Sequence, residues 1–187
     1  MAFAMLAEDL VLIPHDNRLD FSAPRFHFLT GRPLEHLKNA EQVLFAFNLT
    51  LWSGTHTHEF QKSQSKFALS YDLIEEKFQV VKLGTPRKTT SRLTATAAEA
   101  WCLQEISADV SGLSPADPLW VRLEISAQDG KDRASLLKGG NISDAGISLV
   151  DGLIDLLSKP QESLPHWTLE TGPITLNDLR RSHGRAE

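Results

Sequence analysis

The stretch Val43-Leu44-Phe45-Ala46-Phe47-Asn48-Leu49-Thr50-Leu51-Trp52 alternates large apolar side chains with smaller or more polar ones. Successive side chains of a β-strand point to opposite faces. Val43, Phe45, Phe47, Leu49 and Leu51 therefore share one face, and Leu44, Ala46, Asn48, Thr50 and Trp52 the other. One face fit for a core and one of mixed character is the pattern of an antiparallel strand. Leu119 to Ser126 repeats it: Leu119, Val121, Leu123 and Ile125 alternate with Trp120, Arg122, Glu124 and Ser126.

Working outward, Phe67, Leu69 and Tyr71 alternate into a polar break at Asp72 to Glu76. Phe78 and Val80 resume the pattern before Gly84-Thr85-Pro86, which predicts a β-hairpin. Leu19-Asp20-Phe21 and Phe26-His27-Phe28 flank Pro24, which cannot donate to a ladder, and predict a peripheral strand. Thr96 and Glu99 have the spacing of a capping box and predict a helix over Ala97 to Ile106, with strand as the competing reading. From Ile147 to Leu157, the residues Leu149, Val150, Leu153, Ile154, Leu156 and Leu157 gather on one side of a helical wheel. Asp151 and Asp155 lie on the other. This is an amphipathic helix suited to packing on a sheet.

The fold expected is mainly β: an antiparallel β-sandwich or sheet of about six to eight strands with one or two packed α-helices. An α+β arrangement is the alternative. The expected core is Phe45, Phe47, Leu49, Leu51, Phe67, Leu69, Phe78, Val80, Val121, Leu123, Ile125, Val150, Leu153, Ile154 and Leu157. The chain of 187 residues reads as a single domain, 1–187, with a loop-rich C-terminal extension from about residue 159, where Pro160, Pro165 and Pro173 recur.

A formal charge of -5 and the lack of a basic stripe argue against nucleic acid as a partner. Arg180, Arg181 and Arg185 read as a solvated end. No apolar run approaches the roughly 18 residues of a membrane span, so a soluble chain is expected. Met1 to Leu10 lacks the basic start and long apolar run of a signal peptide. The expectation is that any export signal is absent from this sequence or survives only as its end, with a cytoplasmic place expected if no leader was removed.

His56-Thr57-His58-Glu59 is the densest group of metal-ligating residue types, since alternate histidines on a strand share a face. The turn residues Ser53-Gly54-Thr55 before it favour a polar loop instead. Cys102 lies between apolar neighbours and reads as a packed structural thiol rather than a nucleophile. Glu75-Glu76 and the pair Asp16 and Asp20 suit solvent-facing turns better than acid–base work. No phosphate-binding glycine loop, nucleophile elbow or H-E-x-x-H helix occurs. Tryptophans stand at 52, 101, 120 and 167, and Trp52 and Trp120 fall on the strand faces opposite the richer apolar rows. If their strands were neighbours, Trp52, Trp120 and Arg122 would make an aromatic binding surface. If helices covered that face, they would be core.

The order of Gly31-Arg32-Pro33-Leu34, the strand at Val43, Leu69-Ser70-Tyr71-Asp72 with Phe78, Thr94 to Trp101, and Trp120-Val121-Arg122-Leu123-Glu124 resembles an uncharacterised bacterial family. It is a domain of unknown function numbered 4390 in its series. The resemblance covers roughly residues 20 to 127, with an echo at Trp167-Thr168-Leu169, and departs from the family between Lys131 and Leu157. It implies an exported or periplasmic, envelope-associated β-domain and carries over no catalytic residue. The function expected is a non-catalytic binding or accessory domain of the bacterial cell envelope, needing no cofactor and meeting another envelope protein. The alternatives are a metal-dependent enzyme or metal carrier using His56, His58 and Glu59, and a structural subunit pairing through a strand edge.

Overall fold

The computed structural model describes residues 10–54, 58–129 and 165–183. The element order is β1 (Val11–His15), β2 (Arg18–Ser22), α1 (Gly31–Lys38), β3 (Val43–Ser53), β4 (His58–Asp72), β5 (Lys77–Leu83), β6 (Lys88–Leu93), α2 (Ala95–Gln104), β7 (Ser107–Asp109), β8 (Leu119–Asp129), β9 (His166–Ile174) and α3 (Leu176–His183). The chain is mainly β, as expected, with antiparallel pairing throughout the two sheets and helices packed on them.

The strand read from Val43 is the centre of a six-stranded sheet of order β6-β5-β4-β3-β8-β9. Its inner row meets apolar residues along β8, with Phe45 opposite Ala127, Phe47 opposite Ile125, Leu49 opposite Leu123 and Leu51 opposite Val121, while on β4 Phe45 lies opposite Phe67, and Phe47, Leu49 and Leu51 lie opposite Ser65, Ser63 and Gln61. Each of these apolar residues is buried. Cross-strand apolar pairs on one face fix the register, because a slip of one residue would turn the whole row to water. A smaller sheet, β1-β2-β7, brings Leu19, Phe21 and Ala108 to the same core. Leu19 to Phe21 is therefore the middle of a second sheet rather than a peripheral strand. Phe26 to Phe28 is not strand but a loop beyond Pro24.

Phe28 joins the layers, its ring 5.0 Å from that of Phe45 and 5.5 Å from that of Phe47. The loop is held by Glu99, on the inner side of α2. One carboxylate oxygen accepts the backbone N–H groups of Phe28 at 2.8 Å and Leu29 at 2.7 Å, and the other meets His27 Nδ1 at 2.7 Å. Glu99 is only 4% exposed. A buried carboxylate this well partnered replaces its lost hydration with directed hydrogen bonds.

Glu99 is thus not half of a capping box with Thr96. The helix starts two residues earlier, at Ala95, because Thr94 Oγ1 accepts from Ala97 N at 3.2 Å and caps it. Its other end sits under the sheet margin, where Lys82 Nζ donates to the backbone oxygen of Glu105 and Lys88 pairs with the Glu105 carboxylate at 2.7 Å. Cations at a helix C-terminus complement its dipole.

Residues 166–183 form a strand and a helix despite their prolines. Pro173 lies on the edge strand β9, where a missing donor is tolerated. Thr175 caps α3 by accepting from Asp178 N at 3.1 Å. The expected core from Phe45 to Ile125 is buried as predicted. Val150, Leu153, Ile154 and Leu157, with the helix expected around them, lie outside the described residues.

Removing the Glu99 carboxylate strands two buried backbone donors, so Glu99→Ala should lower unfolding free energy by about 3 kcal/mol. Glu99→Gln, which keeps an acceptor for both amides, should cost about 1 kcal/mol. Urea unfolding of the three proteins checks this ordering. Equal losses for both variants would remove the hydrogen-bonding role.

Candidate functional site

The helices and the small sheet pack on the inner face of the six-stranded sheet. Its outer face carries the alternate row of β3: Leu44, Ala46, Asn48, Thr50 and Trp52. The register places Trp52 directly opposite Trp120 of β8, and both are half-buried. Two residues along β8, the Arg122 guanidinium stands 5.1 Å above the Trp52 ring. That distance is within reach of a cation–π attraction. Arg122 Nε also donates to Glu170 Oε1 on β9. A cleft of about 100 Å³ opens between Trp52, Trp120, Arg122, Glu170, Thr171 and Gly172.

The ladder is irregular on both sides of this pair. The β3–β4 register shifts between Leu51 and Trp52, and the β8–β9 register shifts between Leu119 and Val121. Bulges twist a strand locally and re-aim its side chains, and they are common beside functional sites. Gly172 adds a steric reason for its own identity. At φ +133° it passes so close to β8 that an added Cβ would lie 2.7 Å from the Leu119 backbone oxygen and 2.9 Å from Trp120 Cδ1.

The expected trio of Trp52, Trp120 and Arg122 is therefore brought together, and the cleft adds Glu170 and Gly172, which sequence reading passed over. Glu170 alternates correctly for the outer face of a strand, but only the β8–β9 register shows that it meets Arg122. Trp101 and Trp167 belong to the other face, against Phe67 and Phe28 respectively. The titratable groups among the described residues of the cleft are Arg122 and Glu170, which neutralise each other. The arrangement offers an aromatic shelf with a charged rim, suited to recognition.

The other candidates fall differently. His56 lies outside the described residues, and His58 is described only as the backbone at the start of β4, opposite Ser53. Glu59 is exposed and sits opposite Trp52. Among the described residues no group of three or more His, Cys, Asp or Glu is placed to hold a metal ion. Cys102 is buried on α2, and burial, reinforced by the nearby Glu99 carboxylate, pushes its thiol pKa far up. Glu75 pairs with Arg92 at 3.2 Å and Asp20 faces His15 at 3.6 Å, while Asp16 and Glu76 occupy positive-φ turn positions. Among the described residues no helix is long and apolar enough to cross a membrane.

No protein-family model, curated protein or solved structure matches the chain.

Because its neutral thiol is shielded, Cys102 should resist a thiol-specific disulfide reagent at pH 8 in the folded protein and react fully once urea unfolds it. Rapid labelling of the native chain would place the thiol at the surface. Gly172→Ala should cost about 2–3 kcal/mol in urea unfolding and change the tryptophan emission, because β9 must move off Trp120. A neutral substitution would show that the two strands do not approach as closely as described.

Proposed function

We propose that the protein is a non-catalytic binding module that receives a partner protein on the Trp52–Trp120–Arg122 face of its large sheet. One observation carries this reading: two half-buried tryptophans stand directly opposite each other on neighbouring strands, with an arginine over one of them. Tryptophan and arginine are the side chains over-represented among residues that dominate binding energy at protein interfaces. They combine large contact area with few rotatable bonds, so little entropy is lost when a partner covers them.

The sheet edges support a partner on the face rather than on an edge. Edge strand β6 carries Lys88 and Arg92, with Arg92 at φ 62° beside a register shift, and edge strand β9 carries Pro173. Charges, bulges and proline are the usual means of blunting an edge against strand addition. A place in the bacterial cell envelope is part of the same proposal and rests on the family resemblance alone.

A photo-crosslinking residue at position 124, beside Arg122 on the outer face, should trap one discrete partner in the cells that express the protein. The same residue at position 35, on α1, should not. With that partner purified, Trp52→Ala or Trp120→Ala should weaken binding by about 30-fold or more, the scale of an interface hot spot. Equal trapping from both positions, or unchanged affinity in both variants with the fold intact, would rule the reading out.

A further inference from the structure

The outer face of the large sheet has a second feature, at the opposite end from the tryptophans. Leu44 of β3 lies eight residues before Trp52, a distance along the strand of about 26 Å. Around it the face turns apolar: Leu44, Ala68 of β4 and Val81 of β5 form a small buried cluster of their own, separate from the main core. These three are cross-strand neighbours, Leu44 opposite Ala68 and Ala68 opposite Val81. Above them is a groove of about 380 Å³, with Leu83 on its wall and Lys66 and Arg87 at its margin.

The charges at that margin are the informative part. On the large sheet, Lys82 and Lys88 pair with Glu105, Arg92 with Glu75 and Arg122 with Glu170. Neither Lys66 nor Arg87 forms an ion pair or hydrogen bond with another described residue. Two cations with no acid among the described residues of the groove, beside an apolar hollow on a chain of net charge -5, are complementary to a ligand with an apolar body and an anionic head. The volume lies at the lower end of the range for small-molecule sites and suits a chain of about ten carbons.

We infer that this groove binds a small amphipathic carboxylate, a free medium-chain fatty acid in solution, with its tail over Leu44, Ala68 and Val81 and its head between Lys66 and Arg87. The inference is independent of the tryptophan site, since the two share a sheet face but no residue. Burial of the tail should tighten binding about fourfold for each added methylene. The head contributes through two unpaired cations, so it should be sensitive to salt.

Isothermal titration of the full chain with sodium decanoate below its micelle-forming concentration tests this directly. One molecule should bind per chain, hexanoate should bind at least about 100-fold more weakly, and decanol, with a similar tail and no charge, at least about tenfold more weakly. The double variant Lys66→Glu/Arg87→Glu should lose decanoate affinity by more than about tenfold while its thermal unfolding stays unchanged. Trp52→Ala should leave decanoate binding as it is. The inference is overturned if no saturable binding occurs up to about 1 mM, if decanol equals decanoate, if the charge reversal has no effect, or if Trp52→Ala abolishes binding. It is also overturned if decanoate binds only after Leu153→Ser/Ile154→Ser, which would assign the groove to the chain's own amphipathic stretch at 147–157.

Discussion

The Glu99 carboxylate is the fastening on which the arrangement of layers depends. It accepts from the backbone of Phe28 and Leu29 and meets His27, so α2 grips the loop between β2 and α1. That loop delivers Phe28 into the space between Phe45, Phe47 and Trp167. The small sheet enters the core just before Phe28 and α1 just after it, so a loosened loop would release both. Hydrophobic burial supplies most of the driving force, but it is non-directional. The hydrogen bonds to one buried carboxylate are what place the phenylalanine and orient the cover over the sheet.

That cover occupies the inner face, and the Trp52–Trp120–Arg122 cleft and the groove at Leu44 lie on the outer one. Along β3 its character changes from the apolar end at Leu44, through Asn48, which accepts from Gln64 at 2.8 Å, to the tryptophan pair at the far end. The two ends differ in chemistry as well as place. At one, arginine is paired with glutamate and lies over an indole, the surface we propose for another protein. At the other, a lysine and an arginine flank a hollow of small-molecule size. The two clefts share no lining residue, so the two proposed ligands would not compete for side chains.

The parts of this fold that could be read from the chain are those where large apolar side chains on one face of a strand alternate with smaller or more polar ones on the other. Val43 to Trp52, Phe67 to Val80 and Leu119 to Ser126 alternate in that way, and so the central strands and their large apolar row were legible. The short strands β1, β6 and β7 were not. Lys88 to Leu93, for example, is an edge with no buried face, so burial imposes no period on it. The helix at Gly31–Lys38 has only two turns and carries Pro33 in its first, where proline is tolerated but masks the pattern. Glu99 looked like a local cap because its partners lie 70 to 72 residues away. The tryptophan pair was half legible: the faces followed from alternation, whereas the pairing of β3 with β8, and the part played by Glu170 and Gly172, are properties of the assembled sheet.

The central claim is that Trp52, Trp120 and Arg122 form one built surface on the outer face. The most direct measurement is a proton NMR spectrum with through-space contacts assigned for these three side chains. The account predicts cross-strand contacts between Trp52 and Trp120, and Arg122 side-chain protons shifted upfield by the Trp52 ring current. Arg122 resonances at their unfolded positions, with no contact between the two tryptophans, would contradict it.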